Sequence, residues 1–264
     1  MCPSNRDYLI GFWQLLKGHR TAMEWNIAIT CQRDISTYLD TTPPLHVLDL
    51  ANGRLCPQYI ILKSLGHDVF GIDIINDSQN KMSNFGYRFA QWIFTLHIPH
   101  KFLSHKVNDL VCGDVCALPF VNNNFDLITS VAAFEHFLDV PAVVGEIHRV
   151  LIPGGLAWIG IHPFSCLSGG HNLTATEIPI KRLPAGVDAW DHLRNRRLPI
   201  SVPLNKWRIR NYIDEFNRHF EILNHYCVAR EGEHLLTPEI EAELSDYSYE
   251  ELTSLGYILL ARKN

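Results

Sequence analysis

The sequence predicts an α/β domain in three layers, with helices on both faces of a mostly parallel sheet. Two stretches carry that reading. In the first, an apolar strand at His46–Leu50 runs through a loop at Ala51-Asn52-Gly53. A helical segment from about Cys56 to Leu65 follows, then a second apolar strand that ends on Asp73. That is the strand–loop–helix–strand half-module of a nucleotide-binding parallel sheet. In the second, Phe125–Val131 and residues 156–161 are short, largely apolar runs on either side of a helix-like segment. Runs of that kind are strands buried on both faces.

Bulk properties narrow the class. At 264 residues the chain can bury a substantial core as one elaborated domain or one domain with a lid. A hydrophobic content of 47% with 19% charged residues is globular, not disordered. A net charge of −5 gives no reason to expect a nucleic-acid or membrane partner over the whole surface. Seven cysteines without a paired CxxC framework point to reduced thiols, hence a cytoplasmic setting. The first twenty residues lack the pattern of a secretion signal, and no apolar run approaches bilayer length.

In chain order, the pattern from Asp7 to about Leu39 is helical, with Met23, Ile27, Cys31 and Ile35 spaced along one face. Residues Thr41–Pro44 break it before the first strand. In the loop, Gly53 lets the main chain approach a ligand, and the helix start offers free N–H groups. Asp73, at a strand end, can accept hydrogen bonds from both hydroxyls of a ribose. A helix over about 78–96 carries Phe85, Phe89, Trp92 and Ile93. The histidines at 97, 100 and 105 fall short of a structural zinc pattern, and no metal is expected. A short strand at 109–112 leads to Gly113-Asp114. Asp139 caps a helix with Pro141 in its first turn and an apolar face of Val140, Val143, Val144, Ile147, Val150 and Leu151. Pro153-Gly154-Gly155 ends that helix before the strand at 156–161.

The segment VLDLANGRL resembles the first motif of the class I S-adenosylmethionine-dependent methyltransferases, an acidic residue followed by alternating glycines. Asp49 and Gly53 fit, while Ala51 and Leu55 stand where further glycines are usual. The stretches GDVCALPFVNNNFDLITSVAAFEHF and EIHRVLIPGGLAWI resemble the later motifs of the type-11 group, so the likeness covers roughly 45–161. It implies a Rossmann-like methyltransferase fold: a seven-stranded sheet with an antiparallel last strand and an N-terminal helical extension. The family motifs stop at His162, and the Pro-, Gly-, Asn- and Ser-rich stretch beyond it reads as a lid insertion. The resemblance also implies S-adenosyl-L-methionine as cofactor. Asp49, Ala51, Asn52 and Gly53 would surround its amino-acid portion, and Asp73 would take the ribose, with Ile74 beside it. Asp114 and Val115 would take adenine, and Val131 would offer backbone contact near the sulfonium. In such proteins the N-terminal extension helps to build the acceptor pocket, which makes Tyr8, Phe12 and Trp13 candidates for its wall. Aromatics merely covering the core are the plainer alternative.

The expected organisation is a helical extension at 1–44, a cofactor-binding core at 45–162, a lid at 163–205 and a closing segment at 206–264. An acidic excursion at 231–254 splits the closing segment. Lys181, Arg182, Arg194, Arg196, Arg197, Lys206, Arg208 and Arg210, interleaved with Trp190 and Trp207, would suit an anionic or sugar-containing acceptor. A solvated basic face with two packing tryptophans is an equal alternative. His136 and His162 follow strands that end in the crevice and are the candidate general bases, with a structural role as the alternative for each. The reaction expected is methyl transfer to an oxygen or nitrogen of a small acceptor. The competing readings are an inert scaffold that kept the fold, and an RNA methyltransferase, for which no separate RNA-binding module is visible. A nicotinamide dehydrogenase is disfavoured by the absence of G-x-G-x-x-G. The sequence leaves a homo-oligomer open.

Overall fold

A computed structural model describes residues 5–41, 44–75, 81–99, 107–173, 180, 182–200 and 202–264, without the side chains of 5–8 and 81–84. His100 and His105 lie outside the described residues, as does the side chain of Tyr8.

Seven strands form one sheet in the order β3-β2-β1-β4-β5-β7-β6. These are β1 (His46–Leu50), β2 (Asp68–Asp73), β3 (Leu110–Cys112), β4 (Phe125–Val131), β5 (Leu151–Ile161), β6 (Glu221–Arg230) and β7 (Ser254–Arg262). The first five pair in parallel, and β7 runs antiparallel to both β5 and β6. Successive strand residues point to opposite faces, and the sheet accordingly divides two cores. Leu48, Ile128 and Ile159 face α5 (Val140–Val150) and α6 (Ile209–Phe216). Val47, Leu127 and Trp158 face α2 (His19–Ile35), α3 (Pro57–Ser64) and α4 (Lys81–Leu96). Helix α5 forms as its sequence requires. The Asp139 carboxylate accepts the Ala142 amide at 3.1 Å, Pro141 lies in the first turn, and the predicted apolar residues are buried, although Leu151 already belongs to β5.

Three expectations need correction. The N-terminal pattern is two helices, not one: α1 (Asn5–Leu16) and α2 part at Gly18, whose φ is 73°. A side chain there would also strike His97, with Cβ 2.7 Å from Nδ1, so only glycine fits this corner. The face that α2 buries is Thr21, Glu24, Ala28, Cys31 and Ile35, while Met23 is exposed at 42%. Strand β5 starts at Leu151, five residues early. Pro153-Gly154-Gly155 lies inside it, where the β4–β5 register shifts between Phe125 and Leu127. A Cβ on Gly155 would come within 2.9 Å of the Ile152 carbonyl and 3.1 Å of the Asp126 carbonyl.

Residues 163–205 contain neither helix nor strand among the described ones. The excursion between β6 and β7 carries two short helices, α7 (Pro238–Glu243) and α8 (Tyr249–Thr253). The two insertions pack on each other through a small core of Leu167, Ile180, Ala189, Trp190, Leu244 and Leu252. Trp190 is fully buried and donates from Nε1 to the Leu252 carbonyl at 3.1 Å. Among the described residues, four cations of the basic stretch are ion-paired, two of them with the β6–β7 excursion: Arg194 with Glu243 and Arg208 with Glu251, both at 2.5 Å. Arg197 meets Asp188 at 3.2 Å and Arg210 meets Asp214 at 3.5 Å. Ion pairing explains why so many cations cluster in a protein of negative net charge.

Candidate active site and its cofactor cleft

The sheet order reverses between β1 and β4, and in open α/β sheets that crevice is where ligands bind. The loop after β1 is held there by backbone bonds from Ala51 and Asn52 to the Ile72 carbonyl, at 2.8 and 3.4 Å. It keeps the shape that glycines usually make. Ala51 has φ 52°, Gly53 φ 60° and Cys56 φ 51°, so two side-chain-bearing residues occupy the left-handed region. A Cβ at Gly53 would meet nothing within 4 Å, leaving its backbone open to a ligand. Leu55 is half-buried, packs against the core beside α2 and α3, and lines one wall of the cavity below.

Asp73 lies across from this loop. Its Oδ2 accepts the Gly53 amide and its Oδ1 the Ile75 amide, each at 2.9 Å. Each oxygen keeps a lone pair for a hydroxyl. Asp73 is in register with Cys112 on the neighbouring strand, so Asp114, two residues on, stands at the same end of the sheet. Asp114 is exposed, fixed by the Cys116 amide at 2.9 Å, and Val115 beneath it is buried. Ile74 is 76% exposed at the same rim. The carboxylates at 73 and 114 thus share one edge, with the loop over 51–53 beside Asp73.

Beside them opens a cavity of about 660 Å³, within the usual size of ligand sites. Asp49, Ala51, Asn52, Gly53, Val131 and His162 line it from the strand ends. Asp49 is buried, accepts from the Thr129 hydroxyl at 2.9 Å, and has its pKa pushed up to about 7, chiefly by burial. The Asn52 Oδ1 is buried without a hydrogen-bond partner. A carboxylate and a free amide oxygen facing one cavity suit a cationic amine.

The opposite wall is made by other residues than the aromatics singled out in the N-terminal extension. It comes from α2, as Arg20, Met23, Glu24, Asn26, Ile27 and Thr30, and from the β6–β7 hairpin, including Leu255 and Tyr257. Phe12 and Trp13 line no part of it and are exposed at 40% and 59%. Glu24 is a buried carboxylate held by Arg20 at 2.6 Å and Gln58 at 2.9 Å. The signal for it was a lone acid at an apolar-stripe spacing, Thr21-Glu24-Ala28-Cys31, with an arginine four residues before it.

Of the two candidate bases, His162 reaches the cavity and His136 does not. His162 lies within 3.0 Å of the Ser168 hydroxyl, and burial lowers its pKa to about 4, so the ring is neutral near pH 7. His136 sits on a short 3-10 turn, Phe134–His136, with Nδ1 2.9 Å from the Pro203 carbonyl. Its neighbour Glu135 is buried, with a pKa raised to about 8, chiefly by burial.

The seven-stranded sheet with its antiparallel β7 has the Rossmann-like methyltransferase fold. Residues 48–159, about two fifths of the chain, match the family described as "Methyltransferase domain", type 11. A sterol 24-C-methyltransferase of Gibberella zeae is 31% identical over 114 residues, covering 43% of this chain and 27% of that protein. The matched segments span only 8–35% of the length of the first curated relatives. A solved protein of Pyrococcus horikoshii OT3 shares the fold, with a TM-score of 0.54 and 17% identity over 90% of both chains. An S-adenosylmethionine-dependent methyltransferase of Mesorhizobium loti does so with a TM-score of 0.50 and 17% identity, over 88% of this chain and 96% of that one.

Proposed function

We propose that the protein transfers a methyl group from S-adenosylmethionine to an oxygen or nitrogen of a small acceptor. The observation that carries this is the 2.9 Å bond from the Gly53 amide to Asp73, which ties a strand-end acid outside the 660 Å³ cavity to the loop that lines it. When bound, S-adenosylmethionine supplies an electrophilic methyl on its sulfonium. The chain then has to orient the acceptor and exclude water. Asp49 and the Asn52 Oδ1 suit the cofactor's ammonium, Asp73 its ribose and Asp114 with Val115 its adenine. Ile74 would pack on the ring at the exposed rim, and Val131 would border the sulfonium. His162 is the imidazole placed to hydrogen-bond an acceptor in the cavity. His136 stands behind it.

The insertion at 163–205 and the excursion at 231–254 act together as a cap on the acceptor side, supported by their shared core and ion pairs. Because those pairs engage Arg194 and Arg208, the basic stretch lends little support to an anionic acceptor or an RNA. The apolar wall of Met23, Ile27, Trp158 and Leu255 favours a small, weakly polar one.

Calorimetry with S-adenosylhomocysteine tests the reading. The protein should bind it saturably, and Asp73→Ala should abolish binding while the circular dichroism stays that of the parent. Failure of the parent protein to bind would leave the scaffold reading in its place.

A further inference from the structure

We propose that Glu135, His136 and His171 form a binding site for a divalent transition-metal ion of the zinc class, separate from the cofactor cleft. One ligand atom from each lies within 4.8 Å of the others. The Glu135 Oε1 stands 3.9 Å from the His136 Nε2, too far for a hydrogen bond. Both Glu135 oxygens and the His171 Nε2 are buried without hydrogen-bond partners, and the Glu135 side chain is only 1% exposed. The backbone amides of Glu135 and His162 favour the charged form of Glu135, but neither closes a bond of acceptable geometry to it. Buried carboxylates and imidazoles without partners are costly, and a cation satisfies all three at once.

The tautomer agrees. A carbonyl only accepts, so the His136 Nδ1 carries the proton it gives to Pro203, and the Nε2 lone pair is left free. This is the outer-shell arrangement that orients metal-binding imidazoles. The backbone behind it is fixed as well: the Asn205 side-chain amide donates to the Phe134 and Phe137 carbonyls at 2.7 and 2.9 Å. Zinc ligands at ~2.1 Å from the ion lie roughly 3.4 Å apart in a tetrahedron, so a small adjustment of the His171 ring closes the site. Two imidazoles and one carboxylate select a first-row transition ion over magnesium or calcium and leave coordination positions open.

A second cluster, His162, Cys166 and Glu231, is close by, since the His162 and His171 rings are 5.1 Å apart. Two of its ligand atoms are already engaged, while the Glu231 Oε2 is buried without a hydrogen-bond partner. The Ser168 hydroxyl and amide occupy the Glu231 Oε1 at 2.5 and 2.8 Å, and the same hydroxyl meets the His162 Nε2 at 3.0 Å.

The experiment is a titration of the chelator-stripped full chain with cobalt(II), followed by visible absorption and by competition with zinc in calorimetry. One equivalent should bind, giving d–d bands without a thiolate charge-transfer band. His171→Asn should weaken binding by on the order of a hundredfold. Asparagine tolerates the left-handed φ of 49° at this position, so the variant should fold. Glu135→Gln should do the same, and Cys166→Ser should change nothing. The proposal is overturned by absence of saturable binding. It is equally overturned by binding that survives both the 171 and 135 variants, or by a thiolate band that Cys166→Ser removes.

Discussion

Replacing Asp49 by asparagine should change how the stability of the ligand-free protein depends on pH. Burial raises this carboxyl to about 7 in the folded chain, against ~3.9 when unfolded. Below about pH 4 it is protonated in both states and contributes nothing to the difference. Between pH 4 and 7 the unfolded chain releases the proton while the folded chain keeps it, so stability falls as pH rises. The loss saturates above pH 7 at ~4 kcal/mol, three tenfold steps at ~1.4 kcal/mol each. Asparagine removes this slope. It can still accept from Thr129, at a pH-independent cost of ~1–3 kcal/mol for a donor placed where a carboxylate oxygen had been. Urea unfolding at about pH 5 and pH 8 should show the parent losing several kcal/mol more than the variant across that interval. Differencing the two proteins cancels other groups that titrate there, Glu135 included. Parallel pH profiles would refute the assignment of Asp49 as a carboxyl that the fold holds protonated.

Three further substitutions read the scaffold. Ala51→Gly should raise the melting temperature by ~1–4 °C in calorimetry. It relieves ~1–2 kcal/mol of left-handed strain at φ 52° and gives back ~0.4–1 kcal/mol in unfolded-chain entropy; a lower melting temperature would contradict the strain. Gly155→Ala should cost ~1–3 kcal/mol, because its Cβ meets two carbonyl oxygens near 3 Å, and thermal melting would show it. Trp190→Ala should remove ~3–5 kcal/mol from the packing of the two insertions. Limited proteolysis should then cut within 163–205 while the far-ultraviolet circular dichroism of the sheet persists; simultaneous loss of both would show that the cap is not a separate cooperative layer.

The parts of the fold legible in the sequence are those set by neighbours in the chain. Phe125–Val131 is a strand because it is a short run dominated by Phe, Leu, Ile, Thr and Val, and α5 starts where Asp139 and Pro141 place it. The strand-end acids at 73 and 114 could be read for the same reason. The split at Gly18 could not, because it depends on His97 filling the space where a side chain would go. The role of α2 in the cavity was hidden by a face that mixes both functions, with Ala28 and Cys31 turned to the core and Met23 and Ile27 to the pocket. Charge pairing was hidden too: Arg194 and Glu243 are 49 residues apart, and nothing local announces that they meet. The group of Glu135, His136 and His171 brings a strand exit and the 163–205 insertion together, a juxtaposition that only the tertiary fold creates.

Strand β7 lies between β5 and β6, yet it follows both along the chain. During synthesis β6 therefore has no neighbour to pair with until residues 254–262 have left the ribosome. Leu255 and Tyr257 of that late strand also wall the cavity. Until then the acids on β1 and β2 would stand beside a pocket with one side absent, so a single strand completes both the sheet and the cavity wall.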